Sequence, residues 1–136
     1  NNREARRKGI HEATVEPGPI VAGRYTLGVN YEKARRLDAA EIQYKAIERK
    51  YPQFVQAHDY LGNLYFSQNR YEQEAEQYGQ LVAARTMDVR ARFKKAVSLF
   101  YQNQREGAKQ EFTTLARSLP ENDPLAGKVQ GYLGKL

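Results

Sequence analysis

His11 and His58 are the only imidazoles in this 136-residue sequence, and cysteine is absent. Thiol catalysis, disulfides, cysteine-ligated zinc and haem attachment are therefore excluded, and a histidine-rich metal site is not expected. No serine, histidine and acid cluster and no paired-carboxylate motif stands out. Gly107-Ala108-Lys109 lacks the flanking glycines whose backbone amides would cradle a phosphate. Enzymatic chemistry and bound cofactors are accordingly not expected. What remains is aromatic and basic: ten tyrosines, five phenylalanines, and 22 Lys and Arg against 16 Asp and Glu. Such residues do the chemistry of binding. Rings supply contact area, and a net charge of +6 attracts acidic protein segments, phosphates or anionic membranes.

The elements that position these side chains come from a repeat. Tyr44, Tyr78 and Phe112 are spaced by 34 residues, and so are Ile47, Leu81 and Leu115. Leu27-Gly28 returns as Leu61-Gly62, Tyr31 as Tyr65 and then Leu99, while Ala40 and Pro52 return two periods later as Ala108 and Pro120. Three units follow, over about 21–54, 55–88 and 89–122. A hydrophobic share of 40% and a mean hydropathy of −0.82 are too apolar for a disordered chain and lean for one thick core. A stack of units needs only a narrow apolar seam on each helix.

The spacing predicts two amphipathic helices per unit. The apolar faces are Leu27, Tyr31, Ala34 with Ala40, Tyr44, Ile47; Leu61, Leu64, Tyr65 with Ala75, Tyr78, Leu81; and Phe93, Ala96, Val97, Phe100 with Ala108, Phe112, Leu115. Asn69 with Glu72, and Asn103 with Glu106, have capping-box spacing for the second helices, and Asp38 with Glu41 offers the same device slightly later. Pro52 and Pro120 mark helix ends. Asp123-Pro124 opens a final helix over 123–136, weakened by Gly127, Gly131 and Gly134, which caps the stack. Ahead of the repeats, residues 1–20 read as an arm. Arg3, Arg6, Arg7 and Lys8 are a basic run, and 11–20 an extended Pro/Gly linker long enough to reach back over the repeats.

Leu27-Gly28-x-x-Tyr31, Ala40-x-x-x-Tyr44 and Pro52 together resemble the tetratricopeptide repeat (TPR) family. So do Leu61-Gly62-x-x-Tyr65 with Tyr78, and Ala96, Ala108-x-x-x-Phe112 and Pro120. Departures exist. Arg24, His58 and Arg92 stand where the motif has tryptophan, Thr86 stands for proline, and Lys95 for leucine. Glu74 replaces the small alanine, with Ala75 beside it, so shifted packing is expected there. His58, near a tryptophan position, reads as a packing residue. The resemblance implies an all-α fold: a right-handed α-α superhelix of three helical hairpins plus a capping helix, with first helices lining a concave groove that grips a peptide or helix of a partner protein.

By resemblance the inward positions are Ala22, Tyr25, Val29, Glu32 and Lys33; Gln56, Asp59, Asn63, Phe66 and Ser67; and Arg90, Phe93, Val97, Phe100 and Tyr101. The expected partner-binding set is Tyr25, Val29, Asp59, Asn63, Phe66, Arg90, Phe93, Lys94, Val97 and Tyr101. Aromatic anchors would take apolar side chains of a partner, Asn63 would bond its backbone, and Arg90 with Lys94 would attract acidic residues. Arg90 and Lys94 also match the basic pair of carboxylate-clamp TPRs. The clamp's other positions hold Tyr25, Val29 and Tyr60, so that mode is disfavoured.

The function expected is a non-catalytic adaptor or scaffold in the assembly of a larger complex. The alternatives are a structural subunit embedded through its outer surface and arm, or a basic-arm binder of nucleic acid or a membrane surface. Lys33, Arg35 and Arg36 could add phosphate contacts, but Glu4, Glu12, Glu16 and Glu32 are interleaved and no nucleic-acid motif occurs. No stretch approaches a membrane span. The cytoplasm is the compartment favoured, an upstream signal or anchor being left open because the sequence starts at Asn1 rather than Met.

Overall fold

A computed structural model describes residues 18–84 and 88–136. The basic arm, His11, the linker up to residue 17 and Thr86 lie outside these residues. The described residues hold seven helices and no strand: α1 (Pro19–Lys33), α2 (Leu37–Lys50), α3 (Gln56–Ser67), α4 (Tyr71–Ala84), α5 (Val89–Tyr101), α6 (Arg105–Ser118) and α7 (Pro124–Leu133). The starts of α2, α4 and α6 are 34 residues apart, which is the sequence period.

The final two residues of the expected linker, Pro19 and Ile20, are helical instead. Gly18 is an extended N-cap, and Pro19 at the first helical position has a φ suited to a helix and no N–H to leave unpaired. The same device opens α7 as expected, with the Leu125 N–H donating to Asp123 Oδ1 at 2.8 Å and Pro124 following the cap.

The expected capping boxes do not form. Asn69 and Asn103 have φ of 59° and 62°, and Arg35, one period before Asn69, has 63°. After each, a backbone N–H reaches back five residues: Arg36 to the Tyr31 carbonyl at 2.8 Å, Arg70 to Tyr65 at 2.9 Å, and Gln104 to Leu99 at 3.0 Å. This is the Schellman closure of the preceding helix. Asparagine suits the left-handed position because its short polar side chain tolerates it. The two asparagines therefore end first helices rather than start second ones. Likewise α2 begins at Leu37, ahead of Asp38, which lies in its first turn. In the first two turns an arginine covers the tyrosine whose carbonyl is bonded, Arg36 over Tyr31 at 5.2 Å and Arg70 over Tyr65 at 4.5 Å.

Two compact units divide within α3, one running to Leu64 and the other from Tyr65 to Leu136. In the first, α2 buries Ala40, Tyr44 and Ile47 at helical spacing, and Val21, Ile47, Phe54 and Ala57 form a cluster. The inward stripe of α1 runs through Val21 and Gly28, so Leu27, expected inside, is 40% exposed. Gly28 is the reason for that register. A Cβ there would meet the Tyr44 ring at 2.5 Å, so only glycine lets the buried ring lie against the backbone of α1.

Gly28→Ala should therefore cost about 1–3 kcal/mol by overpacking. Gly23→Ala, where a Cβ meets nothing within 4 Å, should instead gain up to about 1 kcal/mol of helix propensity. Urea denaturation of the two variants checks this, and equal effects would contradict the role given to Gly28.

In the second unit the core is Ala96, Val97, Ala108, Phe112, Leu115 and Val129, with Phe93, Phe100, Tyr132 and Leu133 packed on it. The shift of packing expected at Ala75 does not occur. Glu74 sits one period from both Ala40 and Ala108, and it is 3% exposed where they are 0%. The repeat register is kept, and a carboxyl is buried where the other repeats bury a methyl.

Candidate protein-binding surface

Each unit carries an aromatic cluster with exposed rings at its edge. In the first unit the Tyr25 ring lies 4.4 Å from Tyr60 and 6.3 Å from Tyr44, and Tyr44 lies 5.6 Å from Tyr60. Tyr44 is buried and donates its hydroxyl to Glu32 Oε2. Burial first, then that hydrogen bond, hold its phenol far above the usual range. Burial also raises Tyr60, helped by Tyr25 and Asp59. Tyr25 is the exposed member at 39%, set on rings that cannot turn away.

In the second unit Phe66, Tyr71 and Tyr101 meet. Tyr71 and Tyr101 are stacked at 5.0 Å with 19° between planes, and Phe66 points edge-on to both at 6.0 and 6.1 Å. The Schellman turn at 68–70 brings Phe66 and Tyr71 together from its two sides. Gln102 Nε2, donating to the Tyr71 carbonyl at 3.3 Å, ties the end of α5 to the start of α4. Phe66 and Tyr101 are 43% and 46% exposed. Behind them the rings run inward without a gap. Tyr101 meets Phe100 at 5.4 Å, Phe100 meets Tyr132 at 5.0 Å, and Tyr132 stacks on buried Phe112 at 4.9 Å and 6°.

Charge flanks this face. Lys94 Nζ lies 5.1 Å from the Tyr78 ring centre, and Lys95 pairs with Glu111 at 3.8 Å. Burial drives the Glu74 carboxyl up to about 8 against the opposing pull of Lys94, and its Oε1 has no hydrogen-bond partner. Burial, followed by a hydrogen bond with Tyr101, pushes Tyr132 up to about 12. His58 is packed, its Nδ1 3.2 Å from Glu48 Oε2.

The expected groove residues fall into three groups. Tyr25, Asn63, Phe66, Arg90 and Tyr101 are exposed, while Val29, Asp59, Phe93 and Lys94 are half-buried. Val97 is not surface: at 7% exposure it belongs to the core with Ala96 and Phe112, on the inward side of α5. Phe66 and Tyr101 are brought together, whereas Phe93 turns toward Phe112 and Tyr132 at 6.0 Å each. Tyr71 and Tyr132 were not anticipated, and Tyr60 entered only as a departure from the carboxylate clamp. Tyr71 is foreshadowed only by its place five residues after Phe66, across a turn that its sequence disguises as a cap.

Residues 25–89 match the family model described as tetratricopeptide repeat. These residues form a tetratricopeptide repeat region, in keeping with the 34-residue period, and the described residues have an all-α fold. No curated protein sequence matches the chain significantly. Among solved structures, PcrH from Pseudomonas aeruginosa is similar with a TM-score of 0.71 and 22% identity, over 88% of this chain and 93% of that one. The Yersinia enterocolitica type III secretion translocator chaperone SycD is similar with a TM-score of 0.69 and 17% identity, over 97% of this chain and 96% of its own. At these identities the likeness is one of fold. Among the described residues no helix is long and apolar enough to cross a membrane.

Proposed function

We propose that this chain is a non-enzymatic, chaperone-type adaptor that holds a segment of a partner protein, with Phe66, Tyr71 and Tyr101 as its anchor surface. The observation that carries the reading is the exposure of Phe66 and Tyr101 on a ring cluster continuous with the core. Exposed apolar rings in a group are a mark of interaction surfaces. Rings already held in place lose little further freedom on binding, so more of the contact energy appears as affinity. Phe66 and Tyr101 lie on α3 and α5, the first helices of their hairpins, where the family resemblance puts the binding face. The fold likeness to a translocator chaperone supports the same reading.

A random peptide library selected on the protein should yield sequences with spaced apolar or aromatic residues. Phe66→Ala/Tyr101→Ala should weaken the selected peptides by about 30-fold or more, the size of a loss at an aromatic anchor. Selected peptides that bind this double variant as well as the parent would refute the reading.

A further inference from the structure

We infer that the partner segment carries acidic residues, held by Lys128 and Lys135 of the C-terminal helical segment in a cleft beside Phe93 and Tyr132. This rests on the adaptor reading and adds the chemistry of its partner. The cleft has a volume of about 430 Å³ and is lined by Phe93, Lys128, Gly131, Tyr132 and Lys135. Lys128 and Lys135 are exposed, and no carboxylate among the described residues pairs with either. Gly131 leaves the floor open, since a Cβ there would meet nothing within 4 Å.

Charge complementarity selects an acidic occupant, and the rings select a protein one. Single-stranded nucleic acid would need a free ring face for base stacking. Tyr132 has none: Phe112 is stacked on its ring at 4.9 Å and 6°, and Lys135 Nζ lies 5.6 Å from its centre. Phe93 and Tyr132 meet edge to face, at 6.0 Å and 67°, and offer ring edges and apolar surface to a side chain. A second copy of this chain, at a net charge of +6, is disfavoured by repulsion. Seven residues at roughly 1.5 Å rise separate the two lysines by about 10 Å along the helical segment. In an extended polyproline-II segment, with three residues per turn and about 3.1 Å rise, two carboxylates three residues apart lie on one side and about 9 Å apart. The occupant is thus an extended segment of the form acid, two apolar residues, acid.

The test is fluorescence anisotropy with a labelled peptide of core Asp-Leu-Tyr-Asp, flanked by Ser-Gly, on the full chain at low and at 300 mM salt. The peptide should bind and weaken with salt. Asn in place of both Asp, or Lys128→Glu/Lys135→Glu in the protein, should each weaken it by about tenfold or more. Gly131→Leu should block the cleft without unfolding the helix, since leucine is the better helix former. Binding lost in Phe66→Ala/Tyr101→Ala but unchanged in Lys128→Glu/Lys135→Glu would overturn this inference and leave the adaptor reading standing. The reverse result would support the acidic cleft and remove the aromatic face. No binding of the peptide at millimolar concentration, or equal binding of a polyadenylate strand competing at the same lysines, would also overturn it.

Discussion

Glu74→Gln will stabilise the protein at pH 8 and leave it nearly unchanged at pH 4. Glu74 occupies an alanine slot of the repeat, 3% exposed, with one carboxyl oxygen unpartnered. Burial raises it from 4.5 to about 8, and Lys94 only partly offsets the cost of the charge. Tyr132, whose hydroxyl interacts with Glu74, is itself pushed up to about 12 and stays neutral in this range, so it supplies no cation. The native chain therefore keeps the proton that the unfolded chain releases near 4.5. Between these values unfolding releases a proton, so stability is full below about 4.5 and is lost as pH rises to about 8. At roughly 1.4 kcal/mol per pKa unit the loss amounts to a few kcal/mol. Glutamine has the shape of the protonated acid and cannot ionise, so its stability should stay flat across that window. Urea melts at several pH values check the difference, with Glu76→Gln, an exposed change on the same helix, as control. Parallel pH curves for wild type and Glu74→Gln would show that the carboxyl is not held protonated.

Phe112→Ala should cost about 3–5 kcal/mol, the range for emptying a buried aromatic site. Phe112 is fully buried, stacked on Tyr132 and edge-on to Phe93, so removing it opens a cavity that rigid neighbours cannot fill. Repeat arrays hold together through neighbouring contacts, so the damage should be local. Hydrogen exchange should show the largest loss of protection in α5, α6 and α7, and much less in α1 and α2. Peptide affinity should fall as well, although Phe112 touches no ligand, because Tyr132 and Phe100 back the exposed ring of Tyr101. A uniform loss of protection along the chain would contradict this local picture.

The helix pairs were legible because Tyr44, Tyr78 and Phe112 repeat one buried position, and a 34-residue period permits few other folds. The caps were misread for a physical reason. Asparagine serves both as an N-cap and as a left-handed helix terminator, and a Glu three residues later does not separate the two. The deviating residue at 74 was visible, but sequence spacing alone cannot tell whether a carboxyl is expelled or buried in the register of its neighbours. In the candidate surface, Phe66, Tyr101 and Tyr25 stood out in the sequence because first-helix rings at inward positions are few, and the structure leaves all three exposed. Val97 was misplaced because α5 is apolar on two adjoining sides, and only the packing of α6 decides which side is core. Tyr71 and Tyr132 come from other helices, and their meeting with Tyr101 is a tertiary fact with no spacing signal.

The central claim is that Phe66 and Tyr101 form the protein-binding face, and site-specific photo-crosslinking tests it most directly. Benzoylphenylalanine placed at position 66 should crosslink to a library-selected peptide. The same group at Lys109, an exposed position on α6, should not. Crosslinking at 109 with none at 66 would place the partner on a different surface and contradict the assignment.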